Sequence, residues 1–320
     1  MSDKNSQSPG HKQKSKPSVA IIGSGRLGTA FGIALAKAGY PIGLAVAWHK
    51  RSAARAANLI NDTTEAASIK QVIEGRVPSL LDVDLLLIAT PDDAIQEAAR
   101  HLAARFDNGA GRPDVASNKV ALHTSGALTA DELRPLREKG FATGSIHPLI
   151  SISDAAGGAA WLHRAFFTVE GGAQAVRVAR QAVSDLGGNS FRISASDKPL
   201  YHAAALMASP NLTALFDIAL EMLTRCGLSK TRARHVLLPL VQSTLDNLKK
   251  HSPAKALTGP LKRGDVATIR KHLTAIGAAG MQDALAVYIA LARHSMSLPN
   301  KVRRRREVLQ LLADAARRLD

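Results

Sequence analysis

A chain of 320 residues, 46% of them hydrophobic, is long enough for two domains with cores of their own. The formal charge of +16 is concentrated late: residues 1–18 carry a net +3, residues 19–196 a net +2 and residues 197–320 a net +11. A single cysteine, Cys226, excludes an intrachain disulfide and argues against a cysteine-based zinc site. The start lacks the apolar run of a signal peptide and no 18-residue apolar stretch is evident, so the expectation is a cytoplasmic protein that engages no membrane.

Residues 1–17 are polar and read as a disordered tail. Val19 to Ile22 is a β-branched apolar strand that runs into Gly23-Ser24-Gly25-Arg26-Leu27-Gly28 and on into a helix that Gly39 ends. In this G-x-G-x-x-G arrangement Gly23 permits the tight turn, Gly25 lets backbone approach a pyrophosphate, and Gly28 allows the helix to pack closely on the strand. Free N–H groups and the helix macrodipole then favour the anion. The six residues from Gly23 to Gly28 are therefore expected to hold a dinucleotide.

The next strand, 42–48, ends at His49-Lys50-Arg51-Ser52. In this fold an acidic residue about 20 positions beyond the glycines marks NAD, through the ribose 2′-OH, and basic groups mark NADP. No acid occurs between Gly28 and Asp62. Lys50 and Arg51 can neutralise a 2′-phosphate and Ser52 can hydrogen-bond it, so the expected cofactor is NADP(H). A strand over 83–89 leads to Thr90-Pro91-Asp92-Asp93, read as a helix start with Thr90 as N-cap and as a cofactor contact. Further strands are expected at 120–123, 141–146, 165–169 and 190–193, with helices between them. The fold class is α/β: a doubly wound, mostly parallel Rossmann sheet over 18–194, followed by an all-α domain over 195–320, where only helical periodicities remain.

Lys198 and His202 are four residues apart on the first helix of that second part, and so share a face. A lysine in a first helical turn sits at the positive end of the macrodipole, which lowers its pKa and suits it to general acid chemistry, with His202 beside it. His147 ends a strand before Pro148, and Ser125 sits in Thr124-Ser125-Gly126-Ala127; both are candidate substrate contacts. Thr258, Arg263 and Asp265 lie in a second glycine-rich stretch, with Asp265 also placed to cap a helix, and Asn211 is polar within an apolar helix. His123 and His163 read as structural. No histidine lies in E-x-x-H spacing or beside cysteine ligands, so no metal is expected. Lys301 with Arg303 to Arg306 forms a basic run without interleaved aromatics, which argues for a solvated helix start and against a nucleic-acid site.

Gly23–Gly28, Thr124 to Ala127, His147-Pro148-Leu149, Lys198-Pro199-Leu200-Tyr201-His202, Thr244 to Leu248, and Leu257 to Pro260 with Arg263-Gly264-Asp265 together resemble the Rossmann-like plus DUF2520 proteins. That family is similar in plan to pyrroline-5-carboxylate reductase, ketopantoate reductase and the β-hydroxyacid dehydrogenases. The resemblance implies an NADPH-dependent reductase of a small anionic 2-keto or imino acid, with ketopantoate as the single best substrate, Lys198 as proton donor, and a homodimer formed through the helical domain. The family pattern places asparagine directly after the helix serine. Here Pro210 follows Ser209 and Asn211 comes one place later, about 100° further round a regular helix. The alternative from another class is a non-catalytic NADP-binding regulator whose basic C-terminal domain meets an acidic partner.

Overall fold

The computed structural model describes residues 16–106, 118–298 and 302–319. Residues 1–15 of the expected tail, and Lys301 of the basic run, lie outside the described residues. The chain divides into two compact units between Ser209 and Pro210, whereas the sequence texture changes at 195.

The first unit opens with β1 (Val19–Ile22), α1 (Arg26–Lys37), β2 (Ile42–Ala47), α2 (Lys50–Ile60), β3 (Glu65–Ser68), α3 (Ile69–Ile73), β4 (Leu85–Ile88) and α4 (Asp92–Ala103). It continues with β5 (Val120–His123), α5 (Arg134–Arg137), β6 (Ala142–Pro148), α6 (Ala155–Leu162), β7 (Phe166–Gly171), α7 (Ala173–Asp185), β8 (Asn189–Phe191) and α8 (Lys198–Ala208). These strands form one sheet of eight in the order β3-β2-β1-β4-β5-β6-β7-β8. Each neighbouring pair is parallel except β6 with β7. The order reverses between β1 and β4, the switch point at which this architecture opens a crevice for ligands.

Strands that are buried on both faces read as unbroken apolar runs, and Val19-Ala20-Ile21-Ile22 and Leu85-Leu86-Leu87-Ile88 are buried at every position. Ile21, Phe31, Leu87, Phe167 and Val169 belong to the core on one face; Ile22, Leu86, Ile88, Ile95 and Phe141 belong to the core on the other. The short strand β3, Glu65-Ala66-Ala67-Ser68, escapes sequence reading because small residues carry little β signal.

The second unit comprises α9 (Pro210–Arg225), α10 (Lys230–Lys250), α11 (Pro253–Ala256), α12 (Gly259–Arg263), α13 (Val266–Ala278), α14 (Gln282–Ser297) and α15 (Arg305–Ala316). Its core is built from α13, α14 and α15, with Ile269, Ile289, Met296, Val308 and Leu312 buried and Ile218 and Met222 of α9 packed against it. The remainder of α9 and nearly all of α10 are uncovered: α9 has no buried residue and α10 has Ala233 alone.

Residues 195–225 form a helical run broken at Ser209, and an 18-residue window within it is apolar enough, by length and composition only, to cross a membrane. This corrects the expectation that no such stretch exists. Small residues and scattered Leu and Met in this run reach the threshold without an obvious block of large apolar side chains.

Candidate functional site

Gly23 follows β1 with φ +99°, a left-handed conformation that glycine adopts without strain. A Cβ there would stand 2.6 Å from the Ala89 carbonyl carbon, and one on Gly28 would stand 2.1 Å from the Gly23 carbonyl oxygen. Both glycines are thus required by close packing. Gly25 differs: a Cβ there would meet nothing within 4 Å, so its backbone faces open space. It is the N-cap of α1 and has no side-chain hydrogen bond to the helix amides. The opening is anchored from β2, where Val46 O accepts from Gly23 N at 2.8 Å and from Ser24 Oγ at 2.9 Å.

Gly23, Ser24 and Gly25 line a cavity of about 700 Å³ whose other walls include Trp48, His49, Ser52, Ile69, Ile73, Thr90, Ala94 and His101. Arg26, Leu27 and Gly28 form the first turn of α1 behind that lining; Arg26 donates to the Ser153 carbonyl at 3.4 Å. Of the three residues expected at a 2′-phosphate, Ser52 lines the cavity, while Lys50 and Arg51 are exposed on the first turn of α2 just outside it. Thr90 lines the cavity but is not the N-cap, because α4 starts at Asp92 with Pro91 as its cap. Its Oγ1 is buried without a hydrogen-bond partner, although a buried hydroxyl ordinarily has one. Trp48, 76% exposed at the end of β2, offers an aromatic wall that the motif reading passed over. A large exposed aromatic just before the basic turn was the available signal.

A second polar centre lies on the sheet beneath α8. Cross-strand pairing sets His123 of β5, Ser145 of β6 and Glu170 of β7 side by side, and pairs His147 with Thr168 two residues on, so all five share one face. Lys198, at the start of α8, is 1% exposed. Its Nζ donates to Ser145 Oγ at 2.7 Å and to Ser125 O at 3.5 Å, and stands 3.7 Å from Glu170 Oε2. Ser145 Oγ and the Ala130 amide donate to the same Glu170 oxygen. The Lys198 pKa is lowered, as the sequence suggested, but burial is the leading cause, opposed by Glu170 and Asp92. The ammonium is enclosed, with Ser145 Oγ, Ser125 O and Glu170 Oε2 as its nearest oxygens.

His123 is fully buried, with Nδ1 accepting from the Ser125 amide at 3.2 Å and Nε2 donating to Thr129 O at 3.0 Å. Burial, and then the Lys198 charge, push its pKa down to about 4, so it is neutral and structural. The Ser125 hydroxyl, expected as a substrate contact, holds the turn in this structure. It donates to Asp92 Oδ2 at 2.8 Å and accepts from the Ala127 and Leu128 amides, which exhausts its one donor and two acceptor sites. His147 and His202 of α8 are half-buried, with ring centroids 5.7 Å apart and planes at 88°. Their rings meet beside Gly126, where a Cβ would lie 2.8 Å from an atom of each. His147 Nδ1 lies 2.7 Å from the Tyr201 hydroxyl. Burial and the neighbouring His202 and Lys198 hold the His147 pKa at about 4. Glu170, Ser145, Thr168 and Tyr201 were not singled out from sequence, because only strand register shows which polar residues converge.

The remaining candidates belong to the second unit. Thr258 is the N-cap residue of α12 but makes no side-chain hydrogen bond to its amides, and Arg263 is exposed at the helix end. Asp265 caps α13, accepting from Thr268 N at 3.0 Å and Thr268 Oγ1 at 2.7 Å, which holds its carboxyl below the usual range. Asn211 lies in the first turn of α9, beyond the break at Ser209. No cluster of three or more potential metal ligands occurs among the described residues.

Residues 1–148 match the model of the Rossmann-like domain and residues 165–295 that of a domain of unknown function, DUF2520. A comparison with curated proteins found no match. Among solved structures, protein TM1727 from Thermotoga maritima aligns over 88% of this chain and 97% of its own, at 23% identity and a TM-score of 0.62. A candidate NADP oxidoreductase from Bacteroides fragilis aligns over 88% and 98%, at 18% identity and a TM-score of 0.67. A Plasmodium falciparum pyrroline carboxylate reductase with NADP bound aligns over 89% and 98%, at 12% identity and a TM-score of 0.55. At these identities the likeness is one of fold. The chain is a Rossmann-like domain followed by a DUF2520 domain, the two-part arrangement its motifs resemble.

Proposed function

We propose that the protein is an NADP(H)-dependent oxidoreductase that reduces a small anionic 2-keto or imino acid. The observation that carries this reading is the glycine turn opening on a cavity of about 700 Å³, beside which the Thr90 hydroxyl is buried and unpartnered. A pyrophosphate fits there: the α1 amides lack a side-chain cap, Gly25 leaves room for oxygen atoms, and Thr90 has a donor to give. Trp48 and Ile73 would face the adenine, and Ser52 with Lys50 and Arg51 would take the 2′-phosphate. When bound, the cofactor would supply a hydride to the substrate carbon, and the alkoxide so formed would take its proton from solvent. The likeness to structures described as an NADP oxidoreductase and as pyrroline carboxylate reductase supports the class.

The rest is done by the face under α8. Lys198 is a cation within a low-dielectric site, where it favours negative charge developing on a substrate oxygen. His202 and His147 border the space beside Gly126 in which that oxygen would sit. No side chain in this centre distinguishes ketopantoate from other keto acids, so the substrate is proposed only as a class.

The test has two parts. NADPH and NADH are titrated against tryptophan fluorescence, and NADPH oxidation is then followed across a panel of 2-keto and imino acids. NADPH should bind more tightly, and Lys50→Glu with Arg51→Glu should weaken NADPH about tenfold or more while leaving NADH unchanged, as expected for two charge-assisted contacts. Absence of dinucleotide binding overturns the reading. Binding without turnover of any panel member favours the non-catalytic alternative.

A further inference from the structure

The hydrogen bonds around His147 say which of its nitrogens carries the proton. Thr168, 2% exposed on β7, donates from Oγ1 to the Tyr201 phenol oxygen at 3.4 Å. That phenol oxygen lies 2.7 Å from His147 Nδ1. Burial raises the Tyr201 pKa, so the phenol keeps its proton, and of the two acceptors within reach Nδ1 at 2.7 Å is nearer than Thr168 Oγ1 at 3.4 Å. The opposite assignment, with Nδ1–H donating to the phenol, would leave the tyrosine proton only the Thr168 hydroxyl at 3.4 Å, a longer and weaker contact than Nδ1 at 2.7 Å. Nδ1 therefore accepts, and the imidazole proton sits on Nε2. Nε2 has no partner among the described residues. It lies 2.9 Å from where a Cβ on Gly126 would stand, with the edge of His202 at 2.8 Å from the same point. A donor is thus held beside the gap left by a glycine.

We propose that Tyr201, steadied by Thr168, is a positioning residue that fixes His147 as the tautomer protonated on Nε2, and that His147 donates this hydrogen bond to the carbonyl oxygen of a keto acid substrate. The inference rests on the reductase reading for the identity of the acceptor, but not for the tautomer. An uncharged imidazole N–H suits a carbonyl oxygen, which has lone pairs to offer. It does not suit a protonated imine, whose nitrogen carries a hydrogen and has no lone pair, so the geometry selects keto acids from the two classes above. The Lys198 cation on the same face disfavours a second positive charge on the ring and on the substrate alike. The donor is aimed before substrate arrives, and preorganised donors of this kind are worth more than ones that must turn.

The experiment uses the full chain with ¹⁵N-labelled histidine and long-range proton–nitrogen correlation at pH 7, with His147 assigned by the signal lost in His147→Gln. The expected result is a single Nε2-protonated tautomer for His147, replaced in Tyr201→Phe by a mixture of both. For keto acid reduction, Tyr201→Phe should lower kcat on the order of tenfold, a fraction of the ~10²–10³ that loss of such a donor itself costs, with the KM for NADPH unchanged. An Nδ1-protonated His147, or a spectrum that Tyr201→Phe does not alter, overturns the proposal. Turnover of imino acids in preference to keto acids overturns the acceptor assignment. The expected tautomer without NADPH oxidation on any keto acid sinks the reductase reading and leaves the positioning role of Tyr201 standing.

Discussion

Lys198 is the residue on which the most depends, because a fully enclosed ammonium is stable only while its oxygens are present. Replacing it with Met would leave the Glu170 carboxylate buried beside a thioether, and breaking a buried pair from one side costs about 3 kcal/mol or more. Urea unfolding should show Lys198→Met destabilised by that order, with Lys198→Met/Glu170→Gln regaining part of the loss; equal stability of the single variant and the parent would refute the pairing. His123 adds a pH dependence. Its folded pKa of about 4 lies below the ordinary 6.5, so between these values the unfolded chain binds more protons than the folded one. Stability therefore rises with pH across that window and is lost as pH falls from 6.5 towards 4, on the order of 3 kcal/mol. His147 acts in the same direction. Denaturation midpoints measured through this range should fall steeply, and the slope should flatten in His123→Gln.

Among the elements, β1 with α1 was the easiest to read, since an apolar strand, three spaced glycines and a helix each have a local signature. The helix starts were less legible: Thr90 looks like a cap before Pro91, but proline itself took the cap position and left the threonine hydroxyl buried without a partner. The polar face under α8 was hidden for a different reason. His123, Ser145 and Glu170 are far apart in sequence, and nothing short of register brings them into one row. The helices α9 and α10 present the converse problem, an apolar pattern that is plain in sequence with no partner in its own unit. Leu212 and Leu215 of α9 and Val236, Leu238, Leu240, Leu245 and Leu248 of α10 are all exposed. Isolated helices of this kind gain most of their stability from packing, so we propose that a second copy of the chain covers them. Light scattering should give a dimer for the parent chain and a monomer for Leu240→Glu/Leu245→Glu; a monomeric parent would remove the proposal.

At the scale of the whole molecule, composition and periodicity were sufficient for the α/β-then-α plan. They placed the change of texture at 195, because strands cease there. The compact units part later, between Ser209 and Pro210, since α8 is helical like α9 yet is tied to the sheet by Lys198 and Tyr201. The basic excess of residues 197–320 falls entirely beyond that division, on the unit that does not carry the glycine turn.

The division at Ser209 has a consequence for dissecting the gene. A chain stopped at 194 would expose Ser145, Glu170, His147 and Thr168 on a sheet face shaped to be roofed, with the carboxylate deprived of its cation. A chain stopped at 209 would keep the roof. Expressed side by side, the longer fragment should be recovered soluble and should melt at a higher temperature when NADPH is added, while the shorter should aggregate. Equal behaviour of the two would mean that α8 is a passenger on the sheet, and that the border between the two halves of this protein lies where the strands end.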